Sequence, residues 1–209
     1  MVTTLYLIRH GETEGGEVRR YKGTIDVPLS ENGILQMERV SEFVRAEVER
    51  GAQGNPGPGR LAAVYCSDLS RAIKSAEIIA RRHCVKPVIV PSLRERNFGR
   101  WEGMSFDEIR AKYPEEFASW AGNPLKFSPI EGESTLTMKD RVMKSFEEIV
   151  RNHSDGHIAI VAHGGVNRII VCEILGVSLE NIFRIEQDYG AVNIIEFHEA
   201  YPVVKLMNG

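Results

Sequence analysis

The sequence predicts a three-layer α/β/α fold with a mostly parallel central sheet and a small helical cap. Short apolar runs alternate with helix-patterned stretches along most of the 209 residues, the order that packs helices on both faces of a sheet. Two of those runs end alike, in a His-Gly pair at residues 10–11 and 163–164. Prolines break the alternation at about residues 93–132, which reads as the cap.

The first run, residues 5–8, is too short and too rich in β-formers for a helix, and its unbroken apolar character fits a strand covered on both faces. Arg9 and His10 follow at its carboxyl end, the edge where open α/β sheets bind ligands. Gly11 is expected to let the backbone turn and approach a ligand without a Cβ in the way. Residues 14–28 form a long polar loop of the kind that carries function. Ser30 is a candidate N-cap for a helix with Met37, Val40, Phe43, Val44 and Val48 on one face, ending near Gly51. The glycine-proline segment 51–59 supports neither helix nor strand and is expected to be a surface loop far from the chemistry.

Residues 61–66 form a second strand, and strand, helix and strand in that order make a right-handed βαβ unit with parallel strands. Ser67 stands where it can cap the next helix, which carries Ala72, Ala76, Ile79 and Ala80 inward and Arg71 in its first turns. Residues 88–90 are a third short strand leading through Pro91 into the cap. There Pro114 divides the helical pattern of residues 106–120, and residues 123–132 are irregular. A helix resumes near Ser134 with Met138, Val142, Phe146, Ile149 and Val150 on one face. Residues 158–162 are the most strand-like segment of the chain, and a helix over residues 166–175 stops at Gly176. Residues 192–197 and 203–207 are closing strands, the second antiparallel because the connection is too short for a crossover. Residues 1–209 are read as one domain with the cap inserted in it.

Composition narrows the function. Hydrophobic content of 43% and charged content of 26% are ordinary for a soluble globular protein. The net charge of -3 gives no electrostatic case for binding nucleic acid or an anionic membrane, so an anion site must be a local cationic pocket. Cys66, Cys84 and Cys172 are odd in number and lack metal-ligand spacing, which suits reduced thiols in a cytoplasmic protein. With the first strand starting at once, the sequence is expected to carry no secretory leader, and no apolar stretch in it approaches the ~20 residues of a membrane span.

The predicted topology brings Arg9, His10, Arg71 and His163 to one sheet edge. Singly, each has an ordinary structural explanation. Together they do not, because converging cations cost folding free energy unless an anion neutralises them. Phosphate suits them best, since its oxygens match the arginine fork. A zinc site on His157 and His163 fails on reach, since six residues of strand span ~20 Å at ~3.3 Å per residue.

Four segments then carry a family resemblance: Arg9-His10-Gly11-Glu12-Thr13, Ser67-Asp68-Leu69-Ser70-Arg71-Ala72, Leu93-Arg94-Glu95-Arg96-Asn97-Phe98-Gly99 and Ala162-His163-Gly164-Gly165. In that order they resemble the signatures of the histidine phosphatase superfamily, which includes the cofactor-dependent phosphoglycerate mutases. The resemblance implies a metal-independent phosphoryl transfer with no cofactor. His10 would attack phosphorus through one ring nitrogen while a backbone carbonyl holds the other. Arg9, Arg71 and His163 would bind the equatorial oxygens. Glu95 would protonate the departing alcohol and later deprotonate the water that cleaves phosphohistidine. Thr13, Lys22, Gly23 and Gly164 would complete the substrate contacts, and Glu102 would be structural or touch substrate.

Mutases of the family resemble this chain at Arg20-Tyr21-Lys22-Gly23 and Asp26-Val27-Pro28-Leu29-Ser30. They usually place Asn where Gly165 stands, however, and carry a longer insertion with paired arginines after the Glu motif. His163-Gly164-Gly165 and Phe98-Gly99-Arg100-Trp101-Glu102-Gly103 are similar to the phosphatase branch. The segments around residues 105–120 and 131–134 resemble α-ribazole phosphatases of cobalamin biosynthesis and fructose-2,6-bisphosphatase domains, and the compact length favours the former. The expected partner is a small-molecule phosphate ester, α-ribazole 5′-phosphate first. Mutase chemistry and a non-catalytic phospholigand-binding protein are the alternatives, and a homodimer is left open. One departure stands out: Gly16 occupies a position where the family commonly has Asn, and Lys22 is expected to compensate.

Overall fold

The computed structural model describes residues 2–15, 20–52 and 59–209. The six strands β1 (Thr3–Arg9), β2 (Ala63–Cys66), β3 (Pro87–Ile89), β4 (Gly156–Ala162), β5 (Val192–Phe197) and β6 (Pro202–Leu206) form one sheet in the order β3-β2-β4-β1-β5-β6. The first four are parallel to one another; β5 runs antiparallel to β1, and β6 antiparallel to β5. Helices α1 (Glu31–Ala52) and α2 (Ser70–Arg82) cover one face, while α5 (Thr135–Arg151) and α6 (Gly164–Leu175) cover the other. Between β3 and α5 the chain makes its excursion through α3 (Phe106–Lys112) and α4 (Pro114–Gly122).

Period-two side chains explain how one strand serves both layers. Leu5 and Leu7 enter the core with Val142, Phe146 and Ile169, whereas Tyr6 and Ile8 enter the core with Met37, Val44 and Ala76. All four are essentially inaccessible to solvent. Each buried apolar side chain contributes about 1.5–3 kcal/mol, a large share of a total stability of order 5–15 kcal/mol. The end of β1 is therefore held as firmly as the fold itself.

Register then fixes what meets at the carboxyl edge. Arg9 pairs with Ala162 and Cys66 with Val161, so His10, His163 and Ser67 leave three neighbouring strands side by side. The His10 N–H donates to the Ala162 carbonyl at 3.1 Å. Beyond β3, a 3-10 turn at Pro91–Leu93 brings Glu95 to the same edge.

The helices follow the expected faces closely. Ser30 Oγ accepts from the Gly33 N–H at 3.0 Å, and Ser134 Oγ accepts from the Thr137 N–H, so both act as N-caps. Phe43, expected inward, is 37% exposed on the rim of α1. Ser67 does not cap α2. The residue before that helix is Leu69, with no side-chain cap, and the Asp26 carboxylate takes the Ser70 N–H instead. Most of the glycine-proline segment, residues 53–58, lies outside the described residues, as does Gly16.

Candidate active site

His10 is 5% exposed, and its Nδ1 lies 2.7 Å from the carbonyl of Gly11. A carbonyl only accepts, so Nδ1 carries the proton and Nε2 keeps its lone pair. Gly11 earns its place differently from the expectation. A Cβ there would lie 2.5 Å from the Gly33 carbonyl of α1, so its bareness admits a helix backbone rather than a ligand.

His163 is fully buried, 5.0 Å from the His10 ring centre to centre. Its Nε2 meets Ser67 Oγ at 2.7 Å, which gives Ser67 its role. Among the described residues its Nδ1 has no partner, nor does the buried Nε of Arg9. Such groups cost about 1–3 kcal/mol each until something pairs with them.

Arg9 donates to the Gln187 carbonyl, and its guanidinium lies 3.9 Å above the Tyr189 ring. Gln187 is locked in turn: its amide and that of Asn193 donate to each other at 2.9 and 2.8 Å, both residues inaccessible. Arg71 donates to the carbonyls of Gly23 and Ile25. Lys22 donates to Thr13 Oγ1 at 2.7 Å and to the Glu14 carbonyl. Arg9, His10, Thr13, Lys22, Gly23, Arg71, Glu95 and Tyr189 thus line one cleft of about 180 Å³. Gly164 opens α6 beside the Arg9 guanidinium.

Charge in this cleft is one-sided: among the described residues that line it, Glu95 is the one carboxylate. Burial, then Arg71 and Arg9, pushes His10 well below its usual range. Burial, then His10 and the two arginines, does the same to His163. Burial also lowers Arg9, Arg71 and Lys22. Both imidazoles are therefore neutral at pH 7. A neutral imidazole with a free lone pair among cations can attack an anion-bearing electrophile.

Glu95 sits across the cleft. One oxygen accepts from the Gly165 N–H at 2.9 Å at the start of α6, the other from the Arg96 N–H. A Cβ on residue 165 would come within 2.4 Å of that carboxylate, so the glycine is what admits Glu95. Glu102 is structural: one oxygen takes the Thr24 N–H, the Thr24 hydroxyl and the Phe98 N–H, tying the 20–25 loop to the cap. His157 lies at the far end of β4, against the Tyr6 hydroxyl.

Behind Glu95 a second chamber of about 170 Å³ continues from the cleft, sharing Tyr21, Glu95 and Phe98 with it. Trp101 and Trp120 from the cap, the buried Met138 and Ile169, and the exposed Phe183 of the 3-10 turn Leu179–Arg184 make it largely apolar. A family model described as the histidine phosphatase superfamily (branch 1) matches residues 5–209. The chain belongs to the histidine phosphatase superfamily. It is a phosphomonoesterase of that superfamily.

Among its relatives is a metal-independent phosphoserine phosphatase of Arabidopsis thaliana, 35% identical over 83% of this chain and 69% of the relative. Another is the adenosylcobalamin/α-ribazole phosphatase of Salmonella typhimurium, 26% identical over 98% of this chain and 95% of the relative. The α-ribazole phosphatase structure from Shigella flexneri shares the fold, with a TM-score of 0.84 at 24% identity over 99% of this chain and 96% of that one. Sequence reasoning missed Ser67 as a histidine partner, Tyr189, and the chamber's Trp120 and Phe183. Ser67 and Trp120 lie in segments that carry the resemblance, yet nothing local announces their contacts, and Tyr189 and Phe183 have no periodic or motif signal; each matters through where the fold brings it.

Proposed function

We propose that this histidine phosphatase hydrolyses a small phosphate ester through a phosphohistidine intermediate, with α-ribazole 5′-phosphate of cobalamin biosynthesis as its substrate. The observation that carries the mechanism is the pairing of a neutral His10, its Nδ1 on the Gly11 carbonyl, with Glu95 across the same cleft. His10 Nε2 forms a bond to phosphorus as the ester oxygen departs, and Glu95 gives that oxygen its proton. Arg9, Arg71 and His163 hold the equatorial oxygens, with Lys22 and Thr13 beside them. Glu95 then takes a proton from water, which attacks phosphorus and frees His10 and inorganic phosphate.

The chamber supports the choice of leaving group. A dimethylbenzimidazole nucleoside can lay its ring among Trp120, Phe183 and Ile169. The competing substrate, phosphoserine, draws on the greater identity to the Arabidopsis enzyme. Its ammonium would need a carboxylate, and Glu95, already engaged, is the single one among the described residues that line the chamber. Mutase transfer is disfavoured by Gly165, and simple phospholigand binding needs neither a nucleophile nor an acid. Three free thiols suit a reducing, cytoplasmic setting.

The test is phosphate release in EDTA from α-ribazole 5′-phosphate, phosphoserine, 3-phosphoglycerate and fructose 2,6-bisphosphate, with His10→Ala as control. Preference for the first, lost in the control, supports the proposal. Preference for phosphoserine overturns the substrate and keeps the mechanism. Failure to trap phosphohistidine during turnover overturns the mechanism.

A further inference from the structure

Glu95 lies in a segment that no regular structure holds. It falls between the 3-10 turns Pro91–Leu93 and Gly99–Trp101, so neither a strand ladder nor a helix fixes its carbonyls. A side chain from α5 does so instead. Arg141 Nη1 donates to the carbonyls of Ser92 at 2.7 Å and Arg94 at 2.8 Å, and Nη2 to that of Glu95 at 3.0 Å. Nε and Nη2 also fork onto the two oxygens of Glu133. All five guanidinium N–H groups are thereby used.

Glu133 continues the clamp. Its Oε1 takes the Asn97 N–H at 2.9 Å, and its own N–H donates to the Asn97 carbonyl. Arg96, 7% exposed, is held by the Glu133 and Phe127 carbonyls and by Thr135 Oγ1. The backbone on either side of Glu95 is thus held by one arginine–glutamate pair, while the side chains of Arg94 and Arg96 are tied separately, to Asp68 and to Phe127 and Thr135. The segment's contact with α6 at the site is the Glu95 carboxylate on the Gly165 N–H.

We infer that Arg141, held by Glu133, is the positioning residue that sets the Glu95 carboxyl against the leaving-group oxygen. The inference rests on the acid role proposed above for Glu95. Lysine cannot replace it: one ammonium cannot reach three carbonyls and a carboxylate in the planar fork that arginine offers. A displacement of about 1 Å at a proton-transferring group can cost on the order of 10²-fold in rate.

The experiment compares wild type, Arg141→Lys, Glu133→Gln and Glu95→Gln on two esters: p-nitrophenyl phosphate, whose leaving group departs without a proton, and an alkyl phosphate, whose alkoxide needs one. The inhibition constant of inorganic phosphate and the thermal midpoint are read alongside. Arg141→Lys should lose about 10- to 100-fold in kcat on the alkyl ester and less than about 3-fold on p-nitrophenyl phosphate, with phosphate inhibition unchanged. Glu133→Gln, which keeps an acceptor for Asn97, should show the same split to a smaller degree, and serves if Arg141→Lys does not fold. Equal losses on both esters, or no loss on either, while Glu95→Gln keeps its split, would overturn the inference. A Glu95→Gln variant without a split would overturn the acid role, and the positioning role with it.

Discussion

The phosphate cleft and the chamber behind it are built on opposite plans. The cleft takes its groups from the ends of parallel strands and the loops that follow them, and its chemistry is cationic and buried. The chamber is assembled by the cap, α5, α6 and the 3-10 turn at Leu179–Arg184, and its chemistry is apolar and aromatic. A parallel sheet must align its strand ends, so whatever binds there is shared by every substrate. A cap has no such obligation, and it is where one ester can be told from another.

Breaking the cleft should therefore affect all esters alike. His10→Ala is expected to lower kcat by at least about 10³-fold on each of them. Phosphate release is the measurement, and retention of activity on any one ester would show that a second group can take the nucleophile's place.

Damage to the chamber should discriminate. Trp120→Ala is expected to lower kcat/KM by about 10- to 100-fold for esters whose alcohol bears a ring, and little for a small alkyl phosphate. Uniform losses across both would mean that the cap shapes the cleft rather than the leaving group's surroundings.

Lys22 sharpens the boundary between the two. Its ammonium is tied to Thr13 and the Glu14 carbonyl at the lip of the cleft, so it should add binding common to ground and transition state. Lys22→Ala is expected to raise KM about 5- to 10-fold while kcat changes less than about 2-fold. An unchanged KM would remove Lys22 from the site.

The smallest effect is on stability. His10 and His163 have folded-state values depressed below 6.5, so the unfolded chain binds protons that the folded one refuses. Stability contributed by their neutral forms is complete above about pH 6.5. It falls as pH drops below that, by about 1.4 kcal/mol per unit for each histidine until its folded value is reached. His83, His153 and His157 are lowered by burial too, so the His10→Asn/His163→Asn double variant should lose part of the slope of urea midpoint between pH 6.5 and 5. Asp68, lowered from 3.8 by its Arg94 partner, acts only in more acid solution. An identical slope in both proteins would rule the two histidines out as its source.

The same contrast explains what was legible in the sequence. Residues 5–13 and 158–165 announced themselves, because an apolar strand ending in a polar junction is a local pattern. The face of α5 was visible for the same reason. Arg141 sits on that helix as one more charged residue, and nothing nearby says that it gathers carbonyls 46 to 49 residues away. Ser67 looked like a helix cap because local spacing allows it. The neighbour that claims it, His163, arrives from another strand.

The Gln187–Asn193 pair has an evolutionary corollary. Each amide both gives and takes one hydrogen bond with the other, and Asn193 also donates to the Leu7 carbonyl of β1. Replacing either leaves the other with one buried donor and one buried acceptor contact unmade, and slackens the carbonyl that holds Arg9. Drift at positions 187 and 193 must therefore be concerted, and descendants of this chain should change both residues or neither.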